Sequence, residues 1–393
     1  MKSNYLLILS VFFCFVICSC GSNKNSDFGD LKNSEEIIAL SLNGNWGKNE
    51  EKFTSLFIDY EVIPLKVPDS LFIVSIDKIH LSDDRIYVLD KKFSNLFCFN
   101  ILGEFIGQVG SIGSGPGEFL GIEDFNIFED NIILMSSGDM SFFVYDKFNF
   151  DFRKQYSLGL FGYSFVPLSL DKTMIYINHN PSSFGGNYNL FISDKDLKNP
   201  KGFFPFDPKK SYAVIDFSGF LTFQNEKILF AKPFDDLIYE FNSIEEDFNP
   251  IFKLETISEF VLENKEDFSK VVRPDILTNA EHKTSFMGST FFMNEDFLVF
   301  DYHYKSRIFY GIYSLNKNLF KSFSKSSKDP LFKLLSKPIY LEEDRICFTF
   351  SSEAYVDFIK KYPQDLLLSN ESFNEINNSP NDYYLVFSQI NFR

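Results

Sequence analysis

The chain has 393 residues, 45% hydrophobic and 23% charged, a balance that excludes wholesale disorder and leaves room for a sizeable core. Its formal net charge of −16 excludes general nucleic-acid binding, which needs a basic face, and disfavours adhesion to anionic lipid surfaces. The 51 Phe and 19 Tyr beside one Trp favour a β-rich fold, although Phe, Asn, Lys and Ile are also what an AT-rich genome supplies.

At the N-terminus Lys2 gives a positive start, and Leu6 to Ile17 is an apolar run too short to span a bilayer comfortably. Small Ser19 then precedes Cys20, so the stretch reads as a secretory signal. Ile17-Cys18-Ser19-Cys20-Gly21 resembles a bacterial lipobox, which implies that Cys20 becomes the lipidated first residue of the mature chain. Cys18 is the poorer acceptor because bulky Ile17 would sit at the cleavage position. Residues 1–19 are therefore expected as signal peptide, 20–50 as lipidated Cys and flexible tether, and 51–393 as one folded domain. Removing the signal leaves Cys98 and Cys347, each in an alternating apolar run where a buried thiol is the default.

Past the tether, an acidic turn followed by a strand recurs six times, at Asp84, Asp130, Asp171, Glu226, Asp296 and Asp344. The separations of 46, 41, 55, 70 and 48 residues bracket the roughly 40 to 50 that a four-stranded propeller blade occupies. The long interval contains Thr256 to Lys283, where a Thr256-x-x-Glu259 capping box predicts an inserted helix. The first unit is expected as strands at Lys78 to Leu81, Arg85 to Asp90, Asn95 to Asn100 and Phe105 to Gly110. The second repeats them at Asp124 to Phe128, Asn131 to Ser136, Ser141 to Asp146 and Phe152 to Ser157. The last unit has a helical insert around Ala354 to Tyr362 and lacks one strand, which Phe57 to Val67 can supply by lying beside Tyr383 to Phe392. The fold class that follows is all-β: a six-bladed β-propeller of four-stranded blades, closed by an N-terminal strand and carrying short helical insertions.

Between the first two units lies Gly110-Ser-Ile-Gly113-Ser-Gly115-Pro116-Gly117-Glu118-Phe119. It lacks the spacing of a dinucleotide loop and is not followed by Gly-Lys-Ser/Thr, so it reads as a crossover whose glycines permit positive φ. Together with Ile86 to Asp90, Asn95 to Phe99 and Gly103-Glu-Phe105, it resembles one NHL-type propeller repeat over residues 84 to 119. The whole chain, lipobox included, resembles the six-bladed β-propeller lipoproteins common in Bacteroidota. That resemblance implies a fold and an outer-membrane, periplasmic or surface-facing location; most members have no established activity.

No Ser, His and acid set at diagnostic spacing appears, and no cluster of metal ligands, so no catalytic residue is assigned. His80, in a strand of alternating apolar neighbours, reads as structural. The connections between second and third strands, and those leading to the next blade, emerge on one face of a propeller. Here they are the long ones: Ser111 to Glu123, Asn178 to Tyr188, Asp207 to Ser218, Glu255 to Gly288, Lys325 to Lys337 and Ser352 to Asp382. Candidate ligand-binding residues on that face are His179, Asn180 and Phe184; Lys232, Phe234, Asp235 and Asp236; Arg273 and His282; and His303, Tyr304, Lys305 and Arg307. Aromatic rings beside Asn, Asp and Arg suit a glycan or a peptide. The expectation is a monomeric binding module for a glycan, peptide or envelope protein, touching the membrane only through its lipid and not binding nucleic acid. The alternative is a metal-assisted propeller enzyme of the lyase or lactonase type. No cofactor is implied, but calcium held at the channel, or by Asp235-Asp236 with carbonyls, stays open.

Overall fold

The computed structural model describes residues 37–40, 52–180, 186–194, 200–209, 221–224, 227–232, 235–254, 263, 285–304, 307–324, 330–362 and 383–392. They form six antiparallel four-stranded sheets, one per blade, with a fifth strand added to blade four. Blade one is Lys78–Ser82, Arg85–Asp90, Asn95–Asn100 and Phe105–Gln108; blade two is Asp124–Phe128, Asn131–Ser136, Ser141–Asp146 and Phe152–Ser157. Blade three is Ser164–Ser169, Lys172–Tyr176, Tyr188–Asp194 and Lys201–Pro205; blade four is Leu221–Gln224, Lys227–Ala231, Leu237–Asn242 and Asp247–Leu254. Blade five is Ser285–Met293, Phe297–Tyr304, Arg307–Ser314 and Leu319–Ser324.

Blade six combines the two ends of the domain. Tyr340–Glu342, Arg345–Ser351 and Tyr383–Ile390 are followed outwards by Phe57–Leu65, which runs antiparallel to the last strand from Phe57 opposite Ile390 to Leu65 opposite Tyr383. The Ser388 hydroxyl donates to Ile58 O at 2.7 Å, and Arg345 pairs with Glu61 across the seam. Closure by an N-terminal strand is thus as the sequence predicts, and it leaves no unpaired end blade. One strand has no counterpart in that reading: Ile38–Leu40, within the stretch taken as tether, lies parallel to Phe252–Leu254 on the outer edge of blade four.

The core is a ring of layers between blades. One cluster joins blades one and two through Tyr87, Leu89, Phe119, Phe125 and Tyr145; another joins two and three through Met135, Phe142, Phe165 and Ile175. Between blades five and six the aromatic excess finds its use. Phe53, on the single turn Phe53–Leu56, stacks on Phe332 at 5.1 Å and meets Phe57, Phe323 and Phe348 at 4.5 to 5.6 Å. Tilted and edge-to-face contacts of this kind add to burial because ring edges and faces carry opposite partial charge. Cys98 and Cys347 are free and fully buried in two of these layers, and burial pushes both thiols up. The helix Ser352–Lys361 follows the predicted insert, with Ser351 as N-cap accepting from Ala354 N–H at 3.2 Å. The helix expected over Thr256 to Lys283 lies outside the described residues.

Candidate functional site

Each blade is entered at its innermost strand, and the six innermost strands line a central channel of about 800 Å³. Their first residues lie toward the face of the long crossovers, so Lys78, Asp124 and Ser164 stand on that side of the channel. Lys78 Nζ donates to Asp124 Oδ1 and to Phe125 O, both at 2.7 Å, and stands 5.2 Å from the centre of the Phe125 ring. Asp124 also accepts from Phe125 N–H at 2.8 Å and from Phe165 N–H at 3.1 Å, and Asn126 Nδ2 donates to Phe165 O at 2.7 Å. Blades one, two and three are laced together around one charge pair, in which a half-buried Lys78 and the backbone N–H groups of Phe125 and Phe165 compensate the buried Asp124 carboxylate.

Beside this group His80 faces the channel and meets Phe125 edge-on at 6.4 Å. Burial, then the positive charges of Lys78 and Lys147, lowers its pKa to about 4, so the ring is neutral near pH 7. In blade five the innermost strand bulges between Met287 and Phe291, which turns Thr290 N–H onto the carboxylate of Asp301 in the next strand. Burial pushes Asp301 up to about 6, against the opposing pull of this hydrogen bond and of Lys337. Thr290 is 2% exposed and lines the channel; its hydroxyl lies near the same carboxylate without reaching hydrogen-bond geometry. Ser164, 6% exposed, also lines the channel, and its hydroxyl has no hydrogen-bond partner among the described residues.

Charge is unevenly spread along the channel. Lys78, Lys91 and Lys337 lie toward the long-crossover side, whereas Glu295, Asp296, Glu343 and Asp344 occupy the turns between first and second strands at the other side. The acidic turns that mark the repeat in the sequence are these turns, so the repeat places carboxylates on one face, blade after blade. Among the described residues no group of three or more His, Cys, Asp or Glu could hold a metal ion.

The residues predicted from loop lengths are placed as follows. His179 is buried: its backbone N–H donates to Asn189 Oδ1 at 3.0 Å, its Nε2 lies 2.9 Å from Asn189 Nδ2, and its ring packs 5.1 Å from Phe206. Burial and the charge of Lys232 lower its pKa to about 3. Asn180 follows in the same turn, its N–H donating to Ile177 O at 3.1 Å. Asp235 is buried and accepts Asp236 N–H at 2.8 Å, while Asp236 faces Lys253 at 3.8 Å. Arg307 leans along its own blade, donating to Ser324 Oγ at 2.9 Å over the Phe309 ring. His303 and Tyr304 end the second strand of blade five, with side chains outside the described residues; Phe184, Phe234, Arg273, His282 and Lys305 lie outside them entirely. The channel residues were overlooked by periodicity, which treats an inner strand as apolar. The signal available was a polar residue at the first position of three inner strands, Lys78, Asp124 and Ser164.

Comparison with known proteins bears on the fold. The family described as a domain of unknown function, DUF4934, matches residues 37–384. No curated protein matches the chain. Among solved structures, a provisionally named exported protein of Bacteroides fragilis is similar at 17% identity, with a TM-score of 0.73 over 91% of this chain and 100% of that one. A member of the duf4221 family from Bacteroides vulgatus is similar at 8% identity, with a TM-score of 0.52 over 86% and 97%. At these identities the likeness shows the fold alone.

Proposed function

The chain belongs to the DUF4934 family, and from that premise and its channel we propose that it is an exported, lipid-anchored binding module of the cell envelope. The observation that carries the binding reading is the channel itself. A concave site of about 800 Å³, within the range of small-molecule sites, combines aromatic walls with a few directed polar groups. Its opening toward the long crossovers joins it to the face on which the candidate loop residues fall, so channel and loops act on one ligand, a glycan or a peptide. Export and anchoring are supported by the signal-like start and by Cys20, which lies outside the described residues. Export, though not anchoring, agrees with the name of the Bacteroides fragilis relative. Among the described residues no helix is long and apolar enough to cross a membrane. The reading requires no cofactor; His282 and the side chain of His303, on which the metal-assisted alternative turns, lie outside the described residues.

The test is a glycan and peptide array probed with the full chain in mild detergent. Saturable binding to a related set of glycans or peptides is expected. Uniform failure to bind either class, with the protein folded by circular dichroism, overturns the binding reading.

A further inference from the structure

The long-crossover face carries an apolar surface beside the mouth of the channel. Phe72 leads into blade one, Phe93 sits on its turn between second and third strands, Leu120 lies in the crossover to blade two, Met140 sits on the matching turn of blade two, and Phe161 lies in the crossover to blade three. All five are between 42% and 60% exposed. Their segments touch in that order. The Phe72 and Phe93 rings meet edge-on at 5.0 Å, Ser94 Oγ accepts Ile122 N–H at 3.3 Å, Leu120 N–H donates to Asp139 Oδ2 at 2.7 Å, and Ser137 Oγ donates to Gly162 O at 2.6 Å. The Phe161 ring then lies 5.4 Å from that of Tyr163, which lines the channel.

These hydrogen bonds fix the loops, so the apolar side chains are in place before a partner arrives. They also occupy the polar groups of the arc: Ser94, Ser137 and Asp139 hold one loop to the next, and Asp90 accepts Val74 N–H at 2.7 Å and Phe93 N–H at 3.2 Å. A glycan needs directed hydrogen bonds beside its stacking ring, whereas Leu, Met and Phe tips offer adaptable contact area to other apolar side chains. At about 200 Å² for each such residue fully exposed, the five leave roughly 450 Å² open, about half of the ~800 Å² that one partner brings to a standard interface between folded proteins. A second folded copy needs more than that; a short extended segment does not. Charge disfavours a lipid surface, because Lys91 and Lys92 beside Phe93 are matched by Asp69 and Asp77 in the loop of Phe72, and the whole chain carries −16. We propose that this arc docks an extended polypeptide segment through several apolar side chains laid along blades one to three. The inference rests on the binding reading above and narrows its ligand from glycan or peptide to peptide.

The test pans a displayed library of short random peptides against the full chain reconstituted in phosphatidylcholine vesicles. Enriched sequences are expected to carry several Leu, Ile, Met or Phe residues. Phe93→Ser, Leu120→Ser and Met140→Ser should each weaken binding of the enriched peptide by about tenfold, the scale of one large apolar side chain lost from contact. Ile244→Ser, at a residue 92% exposed on the opposite face, should leave it unchanged. The bound peptide should also slow hydrogen exchange at residues 93–94, 120–122, 138–140 and 160–163. Enrichment of peptides without apolar residues, or binding that survives the triple variant, overturns the inference. So does protection of those loops by the vesicles alone relative to the chain in detergent, which would mark a lipid surface, or by raising the protein density on the vesicles, which would mark a second copy. A glycan that binds while no peptide does overturns the inference and leaves the binding module standing; failure of every glycan and every peptide removes both readings.

Discussion

Asp301 is the residue whose surroundings oppose its charge most directly. Burial raises its carboxyl from 3.8 to about 6, so the folded chain holds this proton more tightly than the unfolded chain between those values. Stability from this group is therefore full below about pH 4 and falls as pH rises to about 6, with the cost complete above it. Asp301→Asn keeps an acceptor for Thr290 N–H and removes the charge. The variant is expected to match the parent near pH 4 and to exceed it near pH 7 by on the order of 2 kcal/mol in urea unfolding. A difference that is constant from pH 4 to 7 would show that Asp301 does not titrate against the fold. His80 and His179 have the opposite sign: their lowered pKa values make them stabilising above about pH 6.5 and costly as pH falls. Legibility at this scale is uneven. Cys98 and Cys347 are buried as their alternating neighbours imply, because periodicity reports burial directly. The burial of His179 depends on Asn189, a partner ten residues on; spacing along the chain carries no sign of it.

The crossover Gly110 to Phe119 shows how one element uses glycine in two ways. Gly110 and Gly117 have φ of +64° and +76°, and a Cβ at Gly110 would lie 2.5 Å from the Tyr145 hydroxyl and 2.7 Å from the Phe119 ring. That hydroxyl donates to Gly117 O at 2.7 Å, so one tyrosine of blade two holds both ends of the loop. Gly115 has no positive φ and faces only the flexible Glu118 carboxylate, which accepts Gly115 N–H at 2.7 Å. Gly110→Ala is accordingly expected to cost roughly 2 kcal/mol or more, and Gly115→Ala less than about 1 kcal/mol. Urea melts that rank them the other way would reject this division of roles. The cluster's place as a crossover was readable from its position between alternating runs, and so was the need for positive φ. Its clamp was not, since Leu120 N–H, just past the loop, donates at 2.7 Å to Asp139 beyond the next two strands.

At the scale of the molecule the ring was largely legible: a spaced acidic turn counts blades, and a missing strand at one end calls for a spare strand at the other. The channel was not, because its wall is assembled from one short strand per blade and no local window contains more than one of them. The proposed lipid anchoring rests on Cys20. Cys20→Ala should move the chain from the membrane fraction to the soluble fraction after cell disruption, read by immunoblot; retention in the membrane would reject the lipid anchor. The seam between Phe57–Leu65 and Tyr383–Ile390 joins residues 330 positions apart, as Ser388 and Ile58 show. A product cut short before Tyr383 would leave raw edges on both Phe57–Leu65 and Arg345–Ser351, and one trimmed past Leu65 at the other end would bare Tyr383–Ile390. In effect the fold proofreads its own length: only a chain with both ends intact pairs all four strands of the sixth blade.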